Sequence, residues 1–247
     1  MIKVGIVGGT GKLGKDIIKL LSDQTDILIG AVVARKGNPF VGNDLGSLID
    51  GLFPNILIED NIPDSINKCD IYIDCTSAEA MMSNYDAYRL ANKPVIIATT
   101  GFNAEDIERL STLSSSIPIV ICPNFSIGVF KFLKLIKLAA TEFGMNSDID
   151  IFEYHHKYKK DKPSGTAIAI AHSIKDTGLE DPINIHSVRS GNIIGEHSVM
   201  FTTNDNERIE IAHKIYSREG FSKGVIETIK WISSKQAGLY GIEDIFE

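Results

Sequence analysis

Apolar positions in the first half of the chain come as short continuous runs, separated by stretches in which they recur every three or four residues. Runs at 2–7, 27–33, 56–58, 71–75, 95–99 and 117–121 predict strands, and the stretches 13–21, 78–91 and 104–113 predict helices. Strands that are apolar throughout, rather than alternating, belong to a parallel sheet with helices on both faces. The expected architecture is therefore α/β and doubly wound.

After Asn124 the rhythm changes. An amphipathic helix is expected over 128–143, with Phe132, Leu135, Ile136, Leu138 and Ala139 toward a core. A strand over 148–155, a basic turn, a helix opening near Ser164 and strands over 183–188, 198–203 and 209–216 follow, the last two joined by the turn signal Asn204-Asp205-Asn206. Strands with few helices between them predict a second, α+β domain built on an open mixed sheet. The segment 221–234 is helical again and can return to the first domain. The expected division is thus 1–124 completed by 219–247, and 125–218.

Composition narrows the function. A net charge of -7 and a pI near 5.4 argue against nucleic acid as a partner. No apolar run approaches the roughly 18 residues of a membrane span. The start reads as a first strand rather than a signal peptide, so a cytoplasmic protein is expected. Cys69, Cys75 and Cys122 have no metal-type spacing and read as buried thiols. All six histidines fall between His155 and His213, which points acid–base work to the second half.

Gly9-Thr10-Gly11-Lys12-Leu13-Gly14 directly follows the first strand, with Gly8 before it, and opens a helix. Glycines there allow a tight turn and close backbone approach, and the helix start presents amide donors to a pyrophosphate. The first domain is accordingly expected to bind a dinucleotide. The second strand ends Val33-Ala34-Arg35-Lys36, without the acid that holds a ribose hydroxyl in NAD sites. Arg35 is placed to meet a 2′-phosphate, so NADPH is the expected cofactor, with NADH still usable.

The densest chemistry lies in Glu153-Tyr154-His155-His156-Lys157-Tyr158-Lys159-Lys160-Asp161-Lys162-Pro163-Ser164-Gly165-Thr166-Ala167. Alternation along the strand puts Ile149, Ile151, Glu153 and His155 on one face. Ser164 is a helix N-cap, and the amides of Gly165 and Thr166 with Lys159 form a carboxylate cradle. A histidine beside it can supply a proton near neutral pH. A lysine donor works best with a lowered pKa, which the neighbouring Lys157, Lys160 and Lys162 favour. Asp161 is expected to order the loop. A His155–His156 metal pair is disfavoured because adjacent strand residues face opposite ways, so no metal is expected. His172 reads as a hydrogen-bonded structural histidine in an apolar helix.

The segment His155-His156-x-x-Lys159-x-Asp161-x-Pro163-Ser164-Gly165-Thr166-Ala167 resembles the signature of the dihydrodipicolinate reductase (4-hydroxy-tetrahydrodipicolinate reductase) family of lysine and diaminopimelate biosynthesis. Gly8–Gly14, Thr99-Thr100-Gly101-Phe102, Asn124-Phe125-Ser126-Ile127-Gly128, Gly195-Glu196-His197 and His213-Lys214 with Ser217-Arg218 agree with it in order. The resemblance implies reduction of a cyclic dicarboxylate by NAD(P)H. It places the dinucleotide on Gly8, Gly9, Thr10, Gly11, Lys12, Leu13 and Arg35, and the nicotinamide near Ala98, Thr99, Thr100, Cys122, Pro123, Asn124 and Phe125. It makes His155 and Lys159 the proton-donor positions and has His156, Lys159, Ser164, Gly165, Thr166 and Arg218 hold the substrate. It also implies a homo-oligomer, a tetramer assembled through the second sheet. Ala34 and Ala98 depart from the family pattern, the first in the direction of NADPH. The competing readings are a related reductase of another cyclic imine or amino acid substrate and a non-catalytic NADPH sensor, the second of which has no need of His155, Lys159 and Ser164-Gly165-Thr166 at these spacings.

Overall fold

The computed structural model describes every residue except Pro54, Pro123, Asp205, Arg218 and Glu247. The chain divides into two compact units, Met1–Phe125 with Phe221–Glu247 and Ser126–Gly220.

In the first unit, β1 (Ile2–Val7), β2 (Ile27–Val33), β3 (Ile58–Glu59), β4 (Ile71–Asp74), β5 (Val95–Ile97) and β6 (Pro118–Ile121) alternate with α1 (Lys12–Leu21), α2 (Ala78–Ser83), α3 (Tyr85–Ala91) and α4 (Ala104–Ser114). The strands pair in parallel in the order β6-β5-β4-β1-β2-β3. β1 is central because both its faces are apolar: Val4, Ile6, Ile17, Ile18, Val32 and Ile73 pack in one core, and Val7, Val33, Tyr72, Val95 and Ile97 in the other. Burying each such side chain is worth about 1.5–3 kcal/mol. β1 has β2 on one side and β4 on the other, so the direction of winding reverses there and the carboxyl ends of β1 and β4 open a crevice.

The stretch 78–91 is two helices rather than the single expected one. Ser83 donates its hydroxyl to the Ala80 carbonyl and Asn84 leaves helical geometry, local hydrogen bonding that competes with the helix ladder. Residues 56–57, expected in a strand, instead pair with 44–45. The first-unit sheet also gains an edge strand that the pattern does not suggest, described below with the C-terminal segment.

The second unit runs α5 (Ile127–Phe143), β7 (Ser147–His155), α6 (Gly165–Lys175), β8 (Ile183–Arg189), β9 (Gly195–Thr203) and β10 (Arg208–Ile215). The sheet order is β10-β9-β7-β8, with β7 parallel to β8 and the other pairs antiparallel. On β7 every second residue from Ser147 to His155 is buried. That face packs on α5 and α6 through Phe132, Ile136, Ile149, Ile151, Ile170 and Phe201. Leu135 and Leu138 are 55% and 60% exposed, against expectation, because the helix turns Phe132, Ile136 and Ala139 inward at i, i+4 and i+7 and leaves its flank out. His172 is exposed in the last turn of α6 rather than a packed structural histidine. The expected turn at 204–206 includes Asp205, which lies outside the described residues.

The C-terminal α7 (Glu219–Ile232) contributes Val225, Ile229 and Ile232 to the first unit's core. β11 (Gly238–Tyr240) then adds to the sheet edge beside β6, in parallel, and α8 (Glu243–Phe246) ends the chain. Among the described residues no helix is long and apolar enough to cross a membrane.

Candidate active site

The first unit presents a turn fitted to a dinucleotide. Gly8 has φ +82°, and a Cβ there would meet Thr76 Cγ2 at 2.9 Å and the Cys75 carbonyl oxygen at 3.0 Å. A Cβ on Gly14 would lie 2.6 Å from both the Gly8 oxygen and Gly9 Cα, so only glycine lets α1 approach the turn. Gly11 caps α1 without a side-chain acceptor, and the first turn holds no acid. The amides of Lys12, Leu13 and Gly14 therefore remain available to an anion at the helix start. Asn38 donates to Thr10 Oγ1 at 3.3 Å and ties the loop after β2 to this turn, while Arg35 and Lys36 are exposed beside it.

Ala98, Thr99 and Thr100 follow β5, and Cys122, Asn124 and Phe125 follow β6, on the same carboxyl edge of the sheet. Thr99 Oγ1 is buried with no hydrogen-bond partner among the described residues, an orphan a ligand can satisfy. Cys122 and Phe125 are 0% and 2% exposed, so their side chains are packed in the core rather than turned to a ligand. Burial raises the Cys122 thiol to about 12, which keeps it protonated and inert. Pro123 lies outside the described residues.

The second unit gathers its ionisable groups at the end of β7. Glu153 is fully buried and accepts two hydrogen bonds from Arg189, at 2.8 and 2.7 Å. Its Oε2 lies 2.5 Å from His155 Nδ1, and the Ser164 amide donates to Oε1 at 3.3 Å. Burial alone would raise the Glu153 carboxyl, but hydrogen bonds from Arg189, Ser187 and His155 bring it down to about 2. Burial holds His155 below its ordinary value, with Glu153 opposing that shift. His197, ring to ring with His155 at 5.2 Å, is pushed to about 3 by burial and by the neighbouring His155.

Lys159 pairs with Asp161 at 2.8 Å, and the Asp161 carbonyl accepts from Arg189 at 2.6 Å, so Asp161 orders the loop. Ser164 caps α6: its hydroxyl accepts from the Ala167 amide and lies 3.3 Å from His197 Nε2. Every polar side-chain and amide group of Ser164 is thus engaged inside the unit. The amides of Gly165 and Thr166 have no intrahelical acceptor, and the space a Gly165 Cβ would fill holds nothing within 4 Å. His156 Nδ1 is buried without a partner among the described residues. A histidine–carboxylate pair, an ammonium and open helix-start amides lie at the end of β7 and the start of α6, groups whose chemistry suits a small anion.

Residues 2–125 match the family model described as "Dihydrodipicolinate reductase, N-terminus" and residues 128–246 the one described as "Dihydrodipicolinate reductase, C-terminus". The chain belongs to the dihydrodipicolinate reductase family. It is 33% identical to the 4-hydroxy-tetrahydrodipicolinate reductase of Syntrophus aciditrophicus (strain SB), across 99% of this chain and 98% of that one. It is 34% identical to the enzyme of the same name from Methylococcus capsulatus, with the same coverage. A solved structure described as dipicolinate-bound dihydrodipicolinate reductase from Paenisporosarcina sp. TG-14 superimposes with a TM-score of 0.78 at 27% identity, covering 99% of both chains.

Within this family frame, His155, His156, Lys159, Ser164, Gly165 and Thr166 all lie in the second unit around the end of β7 and the start of α6. Gly8, Gly9, Thr10, Gly11, Lys12, Leu13, Arg35, Ala98, Thr99, Thr100, Cys122, Asn124 and Phe125 lie in the first. Arg218 lies outside the described residues. Three neighbours that the motif reading did not assign to the site are Glu153, Arg189 and His197. A carboxylate on an apolar strand face demands a cation, and that was the available signal for the first two.

Alanine at Gly14 is expected to weaken NADPH binding at least about 10-fold, because its Cβ must displace main-chain atoms of the turn. Isothermal titration reads this directly. Unchanged affinity would take the turn out of the cofactor site.

Proposed function

We propose that this chain reduces 4-hydroxy-tetrahydrodipicolinate to tetrahydrodipicolinate with a nicotinamide dinucleotide, a step of lysine and diaminopimelate biosynthesis. The observation that carries the reading is the cluster of His155, Lys159 and the open amides of Gly165 and Thr166 in a chain matched by the family over both units. A bound nicotinamide dinucleotide supplies the hydride.

Lys12 and Leu13 bind the pyrophosphate through the open backbone amides at the start of α1, Gly8, Gly9 and Gly11 let the turn come close to it, and Asn38 holds Thr10. Thr99, with its buried unpartnered hydroxyl, and the backbone after β5 and β6 receive the nicotinamide. His156, Lys159, Gly165 and Thr166 hold the two carboxylates, and Arg218 joins them. Cations and amides there lower the energy of a dianionic ring and of the negative charge that hydride transfer adds. His155 and Lys159 deliver the proton that follows. Ser164 contributes by fixing the start of α6 rather than by touching the ring.

The test is NADPH oxidation with substrate generated from pyruvate and aspartate semialdehyde by its synthase. Rapid, substrate-dependent loss of NADPH is expected. NADPH binding without turnover would favour a sensor.

NADPH is the preferred cofactor, on the strength of Arg35 and Lys36 at the end of β2 and Ala34 in place of an acid. Arg35→Ala is expected to raise the NADPH Kd about 10- to 100-fold, the loss of one or more charge-assisted bonds, and to leave the NADH Kd alone. Equal effects on both would end the assignment.

The chain also acts as a homo-oligomer, a tetramer through the second sheet. Supporting this, the face of that sheet opposite α5 and α6 carries Phe152, Tyr154 and Met200 half-buried and Val188 exposed. Sedimentation velocity distinguishes this from a monomer.

A further inference from the structure

Glu153 is an ionised carboxylate at 0% exposure, two residues before a proposed proton donor on the same strand face. Nothing about sheet packing calls for a charge there. Its two oxygens accept from Arg189 through a bidentate pair, and Oε1 also accepts from the Ser164 amide. Arg189 and a main-chain amide can only donate, so Glu153 has no source of a proton among them. The hydrogen in its 2.5 Å contact with His155 therefore sits on Nδ1. That leaves Nε2 as the nitrogen free to exchange a proton.

We propose that Glu153 is a positioning residue for proton delivery: it holds His155 with Nδ1–H toward itself and stabilises the imidazolium whose Nε2 proton goes to the reduced ring. Arg189 fixes Glu153 in turn. The same guanidinium holds the Asp161 carbonyl, and the Asp161 carboxylate holds Lys159, so one buried pair orients both proton-donor positions. The inference rests on the reductase reading and adds to it a residue that acts through His155.

The groups around His155 fit this role. Glu153 on β7 favours its charged form; Lys159 of the loop and Arg189 on β8 oppose it, and burial opposes it most. His197 on β9, itself neutral, faces the ring edge-on, and Asp161 lies beyond Lys159. In the free enzyme His155 is thus neutral near pH 7. A dianionic substrate on Lys159 and the α6 amides offsets the opposing cations, and Glu153 is then the counter-charge that lets His155 take up its proton.

Two measurements test it. In ¹⁵N-histidine spectra of the free wild-type protein, His155 is expected as the Nδ1–H tautomer. In Glu153→Gln the amide donates to Nδ1 and the ring turns over to Nε2–H. That variant is expected to lose about 10- to 100-fold in kcat with an unchanged KM for the dinucleotide. The limb of its kcat–pH profile on which activity falls as pH rises moves to lower pH, because a neutral neighbour no longer supports the imidazolium. Glu153→Asp, which keeps the charge, is expected to restore the limb. A merely structural role would lower the amount of folded enzyme and leave the limb in place. An Nε2–H tautomer in the wild type, which needs no variant to fold, overturns the proposal, as does an unmoved limb in a folded Glu153→Gln enzyme. Wild-type protein that leaves NADPH unoxidised would instead sink the reductase reading, while the spectra still report the tautomer.

Discussion

Replacing Lys159 by alanine is expected to lower kcat about 100- to 10,000-fold while the NADPH Kd stays at its wild-type value. The range is that of one positioned acid–base group, with loss of a carboxylate anchor adding to it. Two features keep the substitution local. The loop backbone is fixed without the ammonium: the Lys159 amide donates to the His156 carbonyl at 3.1 Å and Arg189 holds the Asp161 carbonyl at 2.6 Å. The partner carboxylate of Asp161 is 56% exposed, so water replaces the lost ion pair at a cost of less than about 1 kcal/mol. The residues that fit a dinucleotide lie in the other unit, which is why binding is the control. Single-turnover rates with saturating substrate, beside a titration of NADPH, separate the two quantities. A variant that turns over at full speed removes Lys159 from the reaction, and one that also loses NADPH affinity shows that the change is not local.

What could be read from the chain follows from how far each signal reaches along it. The glycine turn is legible because strand, turn and helix start are contiguous, and Gly11 and Gly14 answer contacts with Gly8 and Gly9 of the same turn. α6 is legible because its cap, Ser164, adjoins the cradle amides it exposes. β11 is three residues long and contains a glycine, so it carries no period, and only pairing with β6 across the fold makes it a strand. The break at Asn84 was set by a hydroxyl competing for one carbonyl, a choice that apolar spacing does not encode. Alternation did put Glu153 and His155 on one face. It could not supply Arg189, which meets Glu153 only because β7 and β8 pair in parallel across the α6 crossover, with His155 in register with Arg189. The family resemblance supplied candidate reacting residues; the buried charge beside them came from the sheet register.

Arg189→Met is expected to destabilise the second unit by about 3–5 kcal/mol near neutral pH, and the deficit is expected to shrink on acidification. The arginine side chain is 6% exposed and the carboxylate fully buried, so removing the cation leaves a charge that water cannot reach. Met fills similar volume, which keeps the packing term small. In the wild type Glu153 titrates at about 2 when folded, below its ordinary 4.5. Its stabilisation is therefore complete above about pH 4.5 and is lost as pH falls toward 2. Without Arg189 the chief restraint on burial is gone, and the folded carboxyl moves above its ordinary value. The folded variant then binds a proton that the unfolded chain does not, so its stability rises as pH falls through that raised value, the reverse of the wild type. His155 and His197 both sit below their ordinary value, so each costs stability as pH falls below 6.5. Both histidines feel Glu153, and His155 also feels Arg189, so the difference between the two proteins reports Glu153 together with the histidines coupled to it. Hydrogen exchange of the β7 and β9 amides between about pH 8 and pH 5 measures that difference within the unit concerned. A deficit that does not change over this interval would mean that Glu153 keeps its charge without Arg189, and that the pair does not hold the site.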